Sequence, residues 1–498
     1  MSLTIPADIA ESFSVTVAAM DRKWSTLVIV CVAIFMLLLD ITVVNVALPK
    51  IQRDLHASFT DLQWVVDAYS LMLATVVLNA GSLGDLLGRK RVFLTGVVLF
   101  TAASAACGSA TSPLFLNLAR GAQGIGGAIM FAVSLALLSQ EFHGKERGTA
   151  FGIWGATVGA AVAIGPLVGG ALTEWAGWRW IFFVNLPIGA ACVLWGARVL
   201  YESRNEEQGG IDIPGFALLS AGLFALVLGL LRGNDWGWSS GRIVGLFAGS
   251  VVALVVFGAI ELRQERPMFD LRLFGVPTFT AAQIVAFAIS SAMFAQFLYL
   301  TLYLQNVLGY SPLQAGLRFL PLSMLAFFVA PISGRLSERI PIRFILSVGM
   351  GLVALALYLL YGVHVSSGWK TLLPGFIVGG IGIGMVNPAL ASTAVSIVPP
   401  QRAGMAAGVN NTFRQVGIAT GIAGLGAIFQ SALDPHLAHA ITGGAVHTTQ
   451  ARVEFIHGLN NIFLVGTFVA LASAVCALVL VRARDYVLSG PARTASAA

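Results

Sequence analysis

Apolar runs recur down the whole chain, each of roughly twenty residues, the length a helix needs to cross a bilayer. Fourteen can be traced, the first over 25–48 and the last over 459–481, with short polar segments between them. Backbone inside a bilayer must satisfy every N–H and C=O internally, and separate runs of this length do so as helices. The sequence therefore predicts an all-α integral membrane protein with 14 transmembrane helices. Composition agrees: 10% of the 498 residues are charged, against about 25% in an ordinary soluble domain.

The net charge of +6 does not point to nucleic acid, because the basic residues sit in short clusters between apolar runs. Arg22, Lys23, the Arg89–Lys90–Arg91 triplet, Lys145, Arg147, Arg335 and Arg339 all fall on one side of an alternating topology. Lys50, Arg53, Arg179, Arg232, Arg242, Lys370 and Arg452 are the fewer charges on the other. The positive-inside rule then puts both termini in the cytoplasm and the chain, multi-pass, in the cytoplasmic (inner) membrane. Cys31, Cys107, Cys192 and Cys476 lie in separate runs, so neither a disulfide framework nor a CxxC metal site is indicated. His436, His439, His447 and His457, in the longest outer loop, are too loosely spaced for a metal site and read as a solvated loop.

Gly81-Ser82-Leu83-Gly84-Asp85 after the second span recurs as Gly334-Arg335-Leu336-Ser337-Glu338 after the tenth. Two copies eight spans apart suggest two six-helix halves with an extra helix pair between them, and a site near the midplane. The resulting division is a tail over 1–24, a half over 25–200, a linker with two spans over 201–277, a half over 278–482 and a tail over 483–498.

Within LLLDITVVNVALP, Leu37–Pro49, a single carboxylate, Asp40, interrupts the first span, and Pro49 is expected to end it. Acids inside spans are costly and usually face a pathway. Counting helical rise from the outer edge puts Asp40 about 12 Å deep, Asp67 about 9 Å deep and Arg120 at a similar level. The three are expected to share a cavity, with desolvation favouring the neutral acid and Arg120 the charged one, so that a carboxyl there can take up and release a proton. Gln123 shares Arg120's helix face. Asp85, with Gly81, Gly88, Arg89 and Lys90 in the loop after span two, can latch a helix N-terminus. Span five carries a glycine string, Gly155, Gly159, Gly165-Pro166 and Gly169-Gly170, that allows close helix approach. Phe294, Tyr303, Arg318, Asn387, Asn411, Arg414 and Gln415 are candidates for lining a substrate cavity with Gln123.

These strings resemble the signature motifs of the major facilitator superfamily, in its fourteen-span drug:proton antiporter branch: LLLDITVVNVALP, GSLGDLLGRKRVFL, LARGAQGIGG and GATVGAAVAIGPLVGG, with WRWIFFVNLPIG and RAGMAAGVNNTFRQVG. The resemblance implies proton-coupled efflux of small amphiphilic drugs or antibiotics by alternating access, with Asp40, Asp67 and Arg120 in proton coupling. It also implies a gate latch of Asp85 and Arg89 against Ala403–Gly408, no cofactor beyond the proton gradient, and a monomer. The C-terminal half carries no acid inside a span, which speaks for neutral or singly charged substrates rather than dications. Import of a metabolite is the alternative, and a non-transporting receptor a further one. No HExxH, Walker or CxxC pattern is present, so an enzyme is not expected.

Overall fold

The structure, a computed structural model, describes residues 21–204, 212–264, 267, 269–337, 339–433 and 448–486. The helices are α1 (Arg22–Leu55), α2 (Phe59–Leu87), α3 (Arg89–Gly108), α4 (Pro113–Glu141), α5 (Gly144–Trp175), α6 (Trp180–Val199) and α7 (Ile213–Trp236). There follow α8 (Gly241–Arg263), α9 (Pro277–Leu302), α10 (Pro312–Leu336), α11 (Ile342–Leu360), α12 (Leu373–Ser396), α13 (Ala403–Ser431) and α14 (Thr449–Leu480). Among the described residues, 12 helices are long and apolar enough to cross a membrane. α5 and α13 are not in that count, although they run for 32 and 29 residues. α13 carries Asn410, Asn411, Arg414 and Gln415, which lower its mean hydropathy, and several side chains of α5 lie outside the described residues. Both pack among other helices, α5 against α1, α10 and α12, and α13 against α2, α4 and α9. A helix shielded from lipid by its neighbours does not need an apolar surface all round.

Several helix starts are written locally. Ser58 accepts from the Asp61 N–H while the Asp61 carboxylate accepts from the Ser58 N–H, and Ser311 and Gln314 repeat that reciprocal cap on α10. Ser112 caps α4 with Pro113 in its first turn. One local signal fails: α1 does not stop at Pro49 but runs on to Leu55. A proline removes one helical donor, and here Ile51 and Leu55 bury themselves in a cluster with Ala57 and Trp178, which holds the last turn in place.

The packing is inverted relative to a water-soluble bundle. α4 is the most buried span, at 78% of its apolar window, whereas α8 is only 17% buried. α8 turns Val251, Val252 and Val255 outward, a face suited to lipid chains rather than water. α7 is tied to α2, where Asn79 donates to Ser220 Oγ at 2.7 Å and to the Phe216 carbonyl at 3.3 Å. One core cluster is built from residues 27–200 with four side chains of α12 and α13. Another is built from residues 281–481.

Two helix crossings join these clusters and mirror one another. α2 meets α13 where Gly81 lies against the Gly404 carbonyl and the Gly408 Cα, with no room for a Cβ. α10 meets α5 where Gly334, the repeat partner of Gly81, lies against the Gly148 carbonyl and the Gly152 Cα. The five-residue repeat in the sequence is thus the trace of one backbone contact made twice. Of the second copy's acidic position, Glu338 lies outside the described residues.

At the α2–α3 turn, Gly88 holds φ at 110° and a Cβ there would stand 2.5 Å from Glu202 Oε1. That carboxylate accepts from the Lys90 and Arg91 N–H groups at 3.1 and 3.2 Å, capping α3. Gly88→Ala is expected to destabilise the fold by about 1–3 kcal/mol through backbone strain and displacement of this cap. An unfolding midpoint in detergent equal to that of the parent protein would contradict it.

Candidate functional site

Asp40 is 3% exposed and held by two helices besides its own, α4 and α6. Arg120 Nη1 donates to Oδ2 at 2.5 Å, and Gln123 Nε2 and Asn185 Nδ2 donate to Oδ1 at 3.0 and 3.3 Å. Arg120 also donates from Nε to the Val65 carbonyl at 2.9 Å, and its guanidinium lies 4.3 Å from the Tyr69 ring centre. The close approach of α2 and α4 that permits this depends on Gly124, which lies against the Tyr69 carbonyl, and on Gly127, where a Cβ would be 3.0 Å from Tyr69 Oη. Arg120, Gln123, Gly124 and Gly127 are spaced three, four and seven along α4, so one helix face makes the whole arrangement. Such a pair is charge-balanced and nearly closed to solvent.

Asp67 does not join this group. Val65 and Tyr69 face Arg120, and a residue two positions from each points to the other side of a helix. There Asp67 meets Arg232 of α7 at 3.0 Å. Arg232 is buried, contacts Asp235 at 3.1 Å, and lies 4.4 Å from the Trp64 ring centre. The expectation of three charges in one cavity is corrected to two separate clusters: depth along a helix is readable in sequence, but which rotation meets which neighbour is not. Arg232, which sequence places among outer-segment charges, belongs inside the bundle. Asn185 is the other residue that sequence reasoning missed; its only signal is an amide inside the apolar string before Pro187.

At the end of α2, Asp85 is 1% exposed and accepts from Gly404 N at 3.1 Å and Met405 N at 2.9 Å, the first N–H groups of α13. Arg89 closes the other side, with Nε and Nη2 at 2.9 and 2.8 Å from Oδ1. Lys90 reaches the Ala197 carbonyl at 2.7 Å instead. The anion therefore sits on a helix N-terminus with a guanidinium behind it, which is the favourable place for it.

The glycine string of α5 is a contact surface along three partners. Gly155 lies against Pro388 of α12, Gly159 against Ala326 of α10, and Gly165 and Gly169 against Thr42 and Val43 of α1. Gly170 has open space where a Cβ would be. The side chain of Pro166 lies outside the described residues.

Between α5, α9, α10, α12 and α13 is a partly open cavity. Val158, Ile289, Met293, Phe297, Leu322, Ala326 and Ile383 supply apolar wall; Ser290, Ser323, Asn387 and Arg414 supply polar groups. Of the proposed lining residues, Asn387 and Arg414 are here. Gln123 belongs to the Asp40 cluster. Tyr303 is fully buried and donates to the Ser367 carbonyl at 2.9 Å. Arg318 folds back to the Gln314 carbonyl and covers the Tyr310 ring at 3.4 Å. Asn411 donates to the Phe131 carbonyl at 3.3 Å, tying α13 to α4, and Gln415 is half-buried off the cavity. The side chain of Phe294 lies outside the described residues, as do His436, His439 and His447; His457 is on α14. These misplacements share a cause: residue type marks a polar group inside a span, whereas helix rotation decides whether it meets a cavity or a carbonyl.

The family model described as Major Facilitator Superfamily matches residues 30–422. The chain belongs to that superfamily. It is 36% identical over 411 residues to the tetracenomycin C resistance and export protein of Streptomyces glaucescens, covering 82% of this chain and 76% of that protein. It is 38% identical over 422 residues to the multidrug resistance protein Stp of Mycobacterium tuberculosis, covering 84% and 78%. It is 36% identical over 470 residues to the puromycin resistance protein pur8 of Streptomyces alboniger, covering 93% and 92%. The fold is similar to the crystal structure of the human organic anion transporter MFSD10 (TETRAN), with a TM-score of 0.66 at 15% identity over 92% of this chain and 100% of that one. The protein is a multi-pass membrane transporter of this superfamily.

Proposed function

We propose that this transporter exports small amphiphilic compounds, antibiotics among them, in exchange for protons across the cytoplasmic membrane, as a monomer with both termini inside. The observation that carries the reading is the central cavity, which takes Val158 and Gly159 from residues 25–200 and the rest of its wall from residues 278–482. A site shared by two bodies is exposed to one side or the other as they rock. The glycine crossings at Gly81 and Gly334 are smooth enough to slide, and the names of the relatives, resistance and export proteins, support the outward direction.

Asp40 and Arg120 are the coupling pair in this reading. In the conformation described here the pair is shut; rocking of the α1–α2–α4 contact hydrates it, and Asp40 then takes a proton from outside and gives it up inside. Asp67, held by Arg232, is a second acid for the same task, tied to the inserted helices. No ATP site and no enzymatic step are involved.

The test is a drug-susceptibility panel in an efflux-deficient host, with and without a proton uncoupler, together with flux in inverted vesicles. Resistance and vesicle uptake that collapse with the uncoupler are expected. Unchanged susceptibility throughout the panel, or flux in the importing direction, would overturn the proposal.

A further inference from the structure

Arg414 is buried in the membrane-spanning core, 7% exposed, and among the described residues no carboxylate pairs with it. Its hydrogen bond is a single one, from Nη2 to Asn387 Oδ1 at 3.1 Å, and Nε is buried without a partner. A guanidinium has five N–H donors, and taking one out of water without a counter-charge is strongly unfavourable. The other buried arginines of the bundle avoid this: Arg120 has Asp40, Arg89 has Asp85, and Arg232 has Asp67 and Asp235. Arg414 is different, and it lines the central cavity. Across the same cavity, the Ser290 hydroxyl is buried with no partner either. An under-satisfied guanidinium and an unpartnered hydroxyl therefore line one largely apolar chamber. Phe297, packed 4.3 Å from the Phe319 ring, offers an aromatic face on its wall.

We infer that Arg414, oriented by Asn387 and assisted by Ser290, is a recognition site for the acidic group of a singly anionic amphiphile, a carboxylate or an acidic phenol or enol. The fork of the guanidinium matches two acceptor oxygens, and the apolar wall takes the rest of the molecule. This inference rests on the exporter reading and names the charge of its cargo.

The experiment is binding, not flux, so its failure and that of the exporter reading are separable. Purified protein in nanodiscs is titrated calorimetrically with 2-naphthoate, with neutral 2-naphthamide and with cationic 2-naphthylmethylammonium. The carboxylate is expected to bind about tenfold more tightly than the amide, as for hydrogen bonds to a charged group. Arg414→Gln is expected to erase that preference while leaving amide affinity within about twofold, which also reports that the variant is folded; Arg414→Lys is expected to keep part of it. Equal or tighter binding of the amide or the cation by the parent protein overturns the inference. So does absence of carboxylate binding, or a preference that survives Arg414→Gln. Uncoupler-sensitive efflux of other compounds alongside such a result leaves the exporter reading intact.

Discussion

Asp40→Asn is expected to leave an assembled protein whose uncoupler-sensitive efflux falls below about a tenth of the parent rate, as for an acid kept inside a span for a pathway. The substituted amide has the shape of the carboxylate and can still accept from Gln123 or Asn185, which reach Oδ1 at 3.0 and 3.3 Å. It cannot take up and release a proton. Nor can it balance Arg120, whose side chain is 1% exposed. Removing one member of a buried pair typically costs about 3–5 kcal/mol, because the other charge stays behind in a dry site. Asp40→Asn should therefore also lower the unfolding midpoint in detergent. Combining it with Arg120→Gln should return most of that loss, since the two substitutions act on one interaction, while efflux stays absent. Normal uncoupler-sensitive efflux from Asp40→Asn would sink the coupling role. Stability losses that simply add in the double variant would sink the pairing argument.

Asp85→Asn is expected to have the second-largest effect, this time on which conformation is populated. Asp85 stands at the C-terminal end of α2, where that helix's own dipole disfavours an anion. It is held there by the Gly404 and Met405 N–H groups and by Arg89. An amide has one acceptor oxygen where the carboxylate has two, so its NH₂ must face either an N–H or the guanidinium. Losing charge-assisted hydrogen bonds of this kind costs about 1.5–3 kcal/mol, enough to shift a two-state balance by roughly tenfold to a hundredfold. Amide hydrogen exchange at Gly404 and Met405 should rise by about that factor, and efflux should fall, with little change at Gly148 and Gly152 in the other crossing. Exchange at 404–405 no faster than in the parent protein would show that the carboxylate does not hold the two helices together.

Much of the site was readable before any coordinates. Asp40 and Arg120 stand out because each is a charge where charges are expensive, and a single face of α4 carries Arg120, Gln123 and Gly124. That Asp85 seeks helix N–H donors follows from an acid in a glycine-rich turn; that the donors are those of Gly404 and Met405 was implied only by the family resemblance. Asp67 illustrates the limit. It has the same residue type and nearly the same depth as Asp40, yet it faces α7 and Arg232, a partner 165 positions away that looked like a loop charge. Tyr303, Arg318 and Asn411 fail in a related way: each found a carbonyl away from the cavity, Tyr303 that of Ser367 in a loop, Arg318 that of Gln314 in its own helix, and Asn411 that of Phe131 on α4.

By itself the sequence determined the all-α membrane class and the repeat, because bilayer thickness and internal hydrogen bonding act on each apolar run separately, and because the Gly81–Asp85 pattern recurs at Gly334–Glu338. Only the tertiary structure decided the pairings: Asp40 with Arg120 and Asn185, Asp67 with Arg232, and Arg414 left open to the cavity. Partner choice depends on how each helix is rotated against several others at once, and that rotation is set by the summed packing of the bundle rather than by any stretch of chain.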